Sequence, residues 1–139
     1  MNQIPSSIDF AALLEMLDGD KRILASLLSM FAEELTSDLA ASAQAIVDHD
    51  AELLRQIAHS IKGTSANLHA LMLLAAAREL EQTCTEADAS LMAIKQQVMS
   101  DQARAVQEAI ESWHAESGVP SAEAEVITDR FLFSAVRDA

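Results

Sequence analysis

The chain has 139 residues and a formal net charge of −13, with 22 Asp and Glu against nine Lys and Arg. Nucleic-acid binding depends on clustered Lys and Arg that neutralise phosphates, so this balance argues against DNA or RNA as a partner. Half of the residues are apolar, yet there are only four Phe, one Trp and no Tyr, with three Gly and two Pro. That is the palette of one helical bundle with a tail, not of a sheet. No apolar run approaches the ~18 residues of a membrane span, and the N-terminal MNQIPSS has neither a basic nor a hydrophobic export region. The expectation is a cytoplasmic monomer without membrane contact.

In chain order, residues 1–7 form an N-terminal extension and residues 8–116 a helical domain. A short first helix, from about Asp9 to Leu17, carries Phe10, Leu13, Leu14 and Leu17 on one face and has Asp9 as its cap. It is expected to lie across one end of the bundle. The DGD run at Asp18 to Asp20 breaks the chain, and Asp20 caps a long helix reaching about Asp48. In it Leu24, Leu27, Leu28, Phe31, Leu35, Leu39, Ser42 and Ile46 recur at three- and four-residue intervals. His49 and Asp50 make the next turn, with His49 solvated and Asp50 capping a helix that runs to about Leu68.

At ~100° per residue, that third helix puts Leu53, Leu54, Ile57, Ile61 and Leu68 on one buried stripe. Arg55, His59, Lys62 and Ala66 fall on the opposite side, with Gly63 one turn from His59. Next comes a helix marked by Leu73, Ala77, Leu80 and Cys84; the single cysteine reads as a small core residue without chemistry. TEAD, Thr85 to Asp88, reads as a turn with a new cap. The last helix is expected to bury Leu91, Ile94, Val98, Gln102, Val106, Ala109 and Trp113 and to end near Glu116, before Gly118 and Pro120. Four long helices joined by short turns favour an antiparallel, up-down-up-down four-helix bundle. Residues 117–139 differ in composition: VITDRFLFSAV concentrates apolar residues, and the segment is either a disordered tail or a docking segment.

His59 is the centre of interest because the core does not need it. Glycine inside a helix costs roughly 1 kcal/mol relative to alanine, so Gly63 beside His59 points to a close approach by something else. A shared metal site is excluded, since His49, His59 and His69 are ten residues apart, or about 15 Å along a straight helix. An exposed imidazole with a pKa near ~6.5 is largely neutral at cellular pH and leaves one ring nitrogen free to attack phosphorus. Lys62, one turn away, suits the role of holding phosphoryl oxygens, because phosphoryl transfer depends on positioning and charge neutralisation. Arg55 and Lys62 together are expected to make a local positive patch in an otherwise negative field. The sequence holds no Gly-rich loop or GKS/GKT string for a nucleotide.

The run AHSIKGTSANL, preceded by an acidic helix and followed by LLAAARELEQTC, resembles the histidine phosphotransfer (HPt) family, whose signature is an HxxKG run on the second bundle helix. The resemblance covers about Ile8 to Trp113. It departs from the family at the tenth residue after the histidine, where the family commonly has glycine and this chain has His69. If that position takes φ > 0, His is among the better tolerated residues there. The resemblance implies a phosphocarrier without kinase activity: His59 accepts a phosphoryl group from a receiver-domain aspartate and passes it to another receiver, Lys62 steadies the phosphate and Gly63 gives steric access. Arg55, Gln56, Ser60 and Ala66 are the expected partner contacts. The implied partners are response-regulator receivers and a hybrid sensor kinase, whose cytosolic module this chain would be if it is not free-standing. No cofactor is expected in the chain itself, the receiver bringing the Mg²⁺. The alternatives are a non-catalytic adaptor that binds receivers or kinases, and the phosphoacceptor part of a chemotaxis-type kinase.

Overall fold

The computed structural model describes residues 7–86 and 88–119. Five helices follow one another: α1 (Phe10–Met16), α2 (Lys21–Val47), α3 (Ala51–Asn67), α4 (Leu71–Glu86) and α5 (Ala89–Ser117), with no strand among the described residues. The expected docking segment of the tail, from Ser121 onward, lies outside the described residues. No described helix is long and apolar enough to cross a membrane.

The helix starts follow the sequence signals. Asp9, Asp20, Asp50 and Asp88 are the N-caps of α1, α2, α3 and α5, each accepting a backbone N–H from the first turn; such caps contribute about 1 kcal/mol each. The stops are less obvious. After α1, α2 and α3 the chain reverses through Asp18, His49 and His69, all at φ of 53–54°. In each case the amide after the reversing residue donates to a carbonyl five residues back: Gly19 to Leu14, Asp50 to Ala45 and Ala70 to Ser65. This is the Schellman closure, in which a left-handed residue lets orphan helix carbonyls find partners. Glycine is the usual occupant, and His and Asp are tolerated because a short polar side chain reduces the strain. His69, where the family commonly has glycine, does take a positive φ, and His49 does the same at the other end of α3.

These tight turns make each helix run back along the previous one. The helices α2, α3, α4 and α5 pack in sequence, and α5 closes the ring against α2. The core between them holds Leu24, Leu28, Leu35, Leu54, Ile61, Leu73, Leu80, Met99 and Val106, each at most 1 % exposed. Cys84 is buried in the same layer as Leu73, Ala77 and Leu80, as its spacing predicted. Helix α1 covers the end where α3 passes into α4: the Asp9 amide donates to the His69 carbonyl, and Phe10 stacks on Trp113 of α5 at 6.3 Å between ring centroids.

Three expectations fail. Leu53 was expected in the core but is 41 % exposed, because α3 rotates to centre Leu54, Ile57, Ala58 and Ile61. Leu91, Ile94 and Val98 of α5 are likewise exposed, and the helix buries Met92, Met99, Ala103, Val106 and Ile110 instead. The branched aliphatic residues gave the stronger pattern, but the helix turns its methionines to the core, and Gln96, between them, donates to Ser42 of α2. The turn read over Thr85 to Asp88 begins later than expected, since α4 continues through Glu86, while Asp88 caps α5 as read.

Candidate functional site

Helix α3 exposes the face that carries His59, and its two neighbours frame that face with carboxylates. The His59 side chain is 66 % exposed and touches α4, where its Nδ1 lies 2.7 Å from Glu81 Oε2. Lys62 Nζ donates to the other oxygen of the same carboxylate at 2.6 Å. Glu81 is thus held at both oxygens by residues one helical turn apart. The lysine ammonium beside it, with help from the imidazole, holds its carboxyl below the usual range in spite of partial burial. With Glu81 ionised, a neutral imidazole can only donate through Nδ1–H, since the carboxylate has no proton to give. Nε2 then carries the lone pair, and among the described residues it has no hydrogen-bond partner.

On the other flank, Ser60 Oγ donates to Asp38 Oδ2 of α2 at 3.0 Å. Burial pushes the carboxyls of Asp38 and of Glu34, one turn before it, above their ordinary values. Below His59, the Arg55 guanidinium grips Glu52 in a bidentate pair at 2.7 and 3.0 Å, and Gln56 adds a bond to the same carboxylate at 3.3 Å. These bonds lower Glu52 to about 2, Arg55 being the main cause.

The positive patch expected from Arg55 and Lys62 is absent. Both cations are paired, with Glu52 and Glu81, and Glu34 and Asp38 add further acid on the α2 flank. The sequence argument placed the cations on the right face but did not count the carboxylates that reach the same place from α2 and α4. Lys62 is also less open than expected, at 29 % exposure, because its stem lies along α4 on the way to Glu81.

The remaining positions fall where the wheel puts them. Gln56, Ser60, Gly63 and Ala66 are exposed on α3 and Arg55 is half-buried. A Cβ built on Gly63 would meet nothing within 4 Å, so no contact among the described residues calls for glycine there. Just behind it, Thr64 and Ser65 are buried, each returning its hydroxyl proton to the carbonyl four residues back. His49 and His69 stand in the turns at either end of α3, away from His59. No group of three His, Cys, Asp or Glu among the described residues could hold a metal ion.

Sequence reasoning missed Glu81 and Glu52. Glu52 was within reach, since an acid three residues before Arg55 on one helix is a neighbour by spacing alone. Glu81 is 22 residues from His59 and belongs to the site only through the antiparallel pairing of α3 with α4. Its sequence neighbour Glu79, two residues away and therefore on another face, pairs with Lys95 of α5 instead.

The profile of one protein family, the Hpt domain, matches residues 26–116. No curated protein and no solved structure matches the chain. The matched stretch covers most of the chain, from the first turns of α2 to the end of α5, with HSIKG at its middle on an all-helical frame, and the chain therefore belongs to the Hpt domain family of histidine phosphotransfer proteins.

Proposed function

We propose that this domain carries phosphate on His59 Nε2, receiving it from the aspartyl phosphate of a receiver domain and delivering it to the aspartate of another. The observation that supports this reading best is the shared Glu81 carboxylate, 2.7 Å from His59 Nδ1 and 2.6 Å from Lys62 Nζ. By accepting the Nδ1 proton, Glu81 fixes the ring orientation and directs the lone pair of Nε2 outward.

In the forward step, Nε2 attacks phosphorus, the N–P bond forms, and the bond from phosphorus to the receiver's aspartyl oxygen breaks. The leaving group is the receiver's carboxylate. The Nδ1 proton stays in place, so the imidazole becomes formally cationic, and the Glu81 carboxylate stabilises that charge as it develops. Lys62 stands one turn away and can move from Glu81 to a phosphoryl oxygen, neutralising the transferring group. Receiver domains supply the Mg²⁺ for this chemistry, and this chain provides the nucleophile, its orientation by Glu81 and the Lys62 ammonium. Transfer onward is the same step reversed, with a receiver carboxylate as the nucleophile and His59 Nε2 as the leaving group.

This reading is distinguished from a silent adaptor by covalent capture. Incubating the protein with a phosphorylated receiver is expected to move label onto this chain in a bond that acid cleaves and alkali does not. Stable binding of the phosphorylated receiver with no covalent label would instead assign the domain as an adaptor.

A further inference from the structure

Arg55 is a cation within electrostatic reach of Glu81 that does not bind it. It lies one turn before His59 on α3, on the flank facing α4, and the charges of Glu52 and then Glu81 both act on its guanidinium. Arginine is the stronger partner for a carboxylate: its planar fork makes two parallel bonds where an ammonium or an imidazole makes one. Left free, Arg55 would compete with His59 and Lys62 for the oxygens of Glu81. It is held back on its own helix, because Glu52 takes its Nε and Nη2 edge at 3.0 and 2.7 Å and is itself steadied by Gln56.

We propose that Glu52 is a positioning residue: by holding Arg55 on its own helix it keeps the guanidinium off Glu81, and so keeps Glu81 on His59 Nδ1. The pair is solvent-exposed, so its contribution to stability is small; its effect is on which groups share Glu81. The site then consists of two carboxylates with assigned cations, Glu52 with Arg55 and Glu81 with Lys62. The order is set by spacing, three residues for the first pair and an interhelical contact for the second. The inference builds on the role given to Glu81 above and adds a residue that touches neither His59 nor the phosphoryl group.

The test is the tautomer of His59, read by ¹⁵N NMR of the full chain at a pH where the imidazole is neutral. The wild-type protein is expected to hold His59 with its proton on Nδ1. In Glu52→Gln, the Nδ1–H form should become the minor one, and phosphate uptake from phosphoramidate should slow about tenfold, the scale of one lost hydrogen bond to a charged group. Adding Arg55→Gln to Glu52→Gln should restore the Nδ1–H tautomer, since the competitor is gone. If His59 keeps the Nδ1–H form in Glu52→Gln, or if the double variant fails to recover it, the proposal is wrong. The tautomer is read without any phosphate donor and the acceptor role is read by phosphate uptake, so either can fail without the other.

Discussion

His59→Gln is expected to abolish phosphate uptake and leave the fold intact. The side chain is 66 % exposed, fills no part of the core and makes one hydrogen bond, to Glu81, which keeps Lys62 as a partner when the imidazole is gone. Surface substitutions of this kind change stability by about 0.5 kcal/mol or less, so thermal melts of the variant and the wild type should nearly coincide. The loss of function should be complete, because glutamine has no nucleophilic nitrogen to form the N–P bond. Residual label on His49 or His69 in the variant would move the acceptor away from this site. Their positions argue against it: both sit in left-handed turns at the ends of α3, and among the described residues neither has the carboxylate and ammonium pair that flanks His59.

Gly63 should produce the second large effect, of opposite sign in stability and transfer. This glycine costs the helix roughly 1 kcal/mol, and a Cβ there would meet nothing within 4 Å among the described residues. Gly63→Ala is therefore expected to raise the melting temperature, while slowing transfer from a receiver. Gly63→Gln should nearly abolish receiver-mediated transfer, since a long side chain one turn from His59 obstructs the approach of a receiver's aspartate. Uptake from a small donor such as phosphoramidate should persist, because the nucleophile and Glu81 are untouched. Normal receiver transfer in Gly63→Gln would remove the steric reason for glycine and, with it, the close-approach argument.

The fold was legible to the extent that its signals are local. The four aspartate caps could be read directly, because a cap needs only an oxygen placed before an apolar periodic run. The turn at His69 could be read from its place at the helix end. Helix rotation was less legible. On α5 the aliphatic residues Leu91, Ile94 and Val98 outweighed Met92 and Met99 in the pattern, yet the methionines are buried. Gln96, between the two methionines, meets Ser42 of α2, a contact 54 residues away in sequence that the pattern of α5 alone does not show.

The candidate site divides in the same way. His59, Lys62 and Gly63 share one face of one helix, so a wheel finds them. Glu81 and Asp38 reach that face from α4 and α2, where only the antiparallel packing of the bundle brings them. This is also why a positive patch was expected and a compensated one is observed: the two cations lie on the helix being read, and a large part of the opposing charge does not.

The central claim is that Glu81, by holding the Nδ1 proton, makes Nε2 the atom that carries phosphate. It is tested most directly by phosphorylating ¹⁵N-histidine-labelled protein and locating the phosphorus by ¹⁵N–³¹P coupling. The expected result is a single phosphohistidine, on His59, with phosphorus on Nε2 and the proton still on Nδ1. Phosphorus on Nδ1 of His59, or on any other residue, would contradict it.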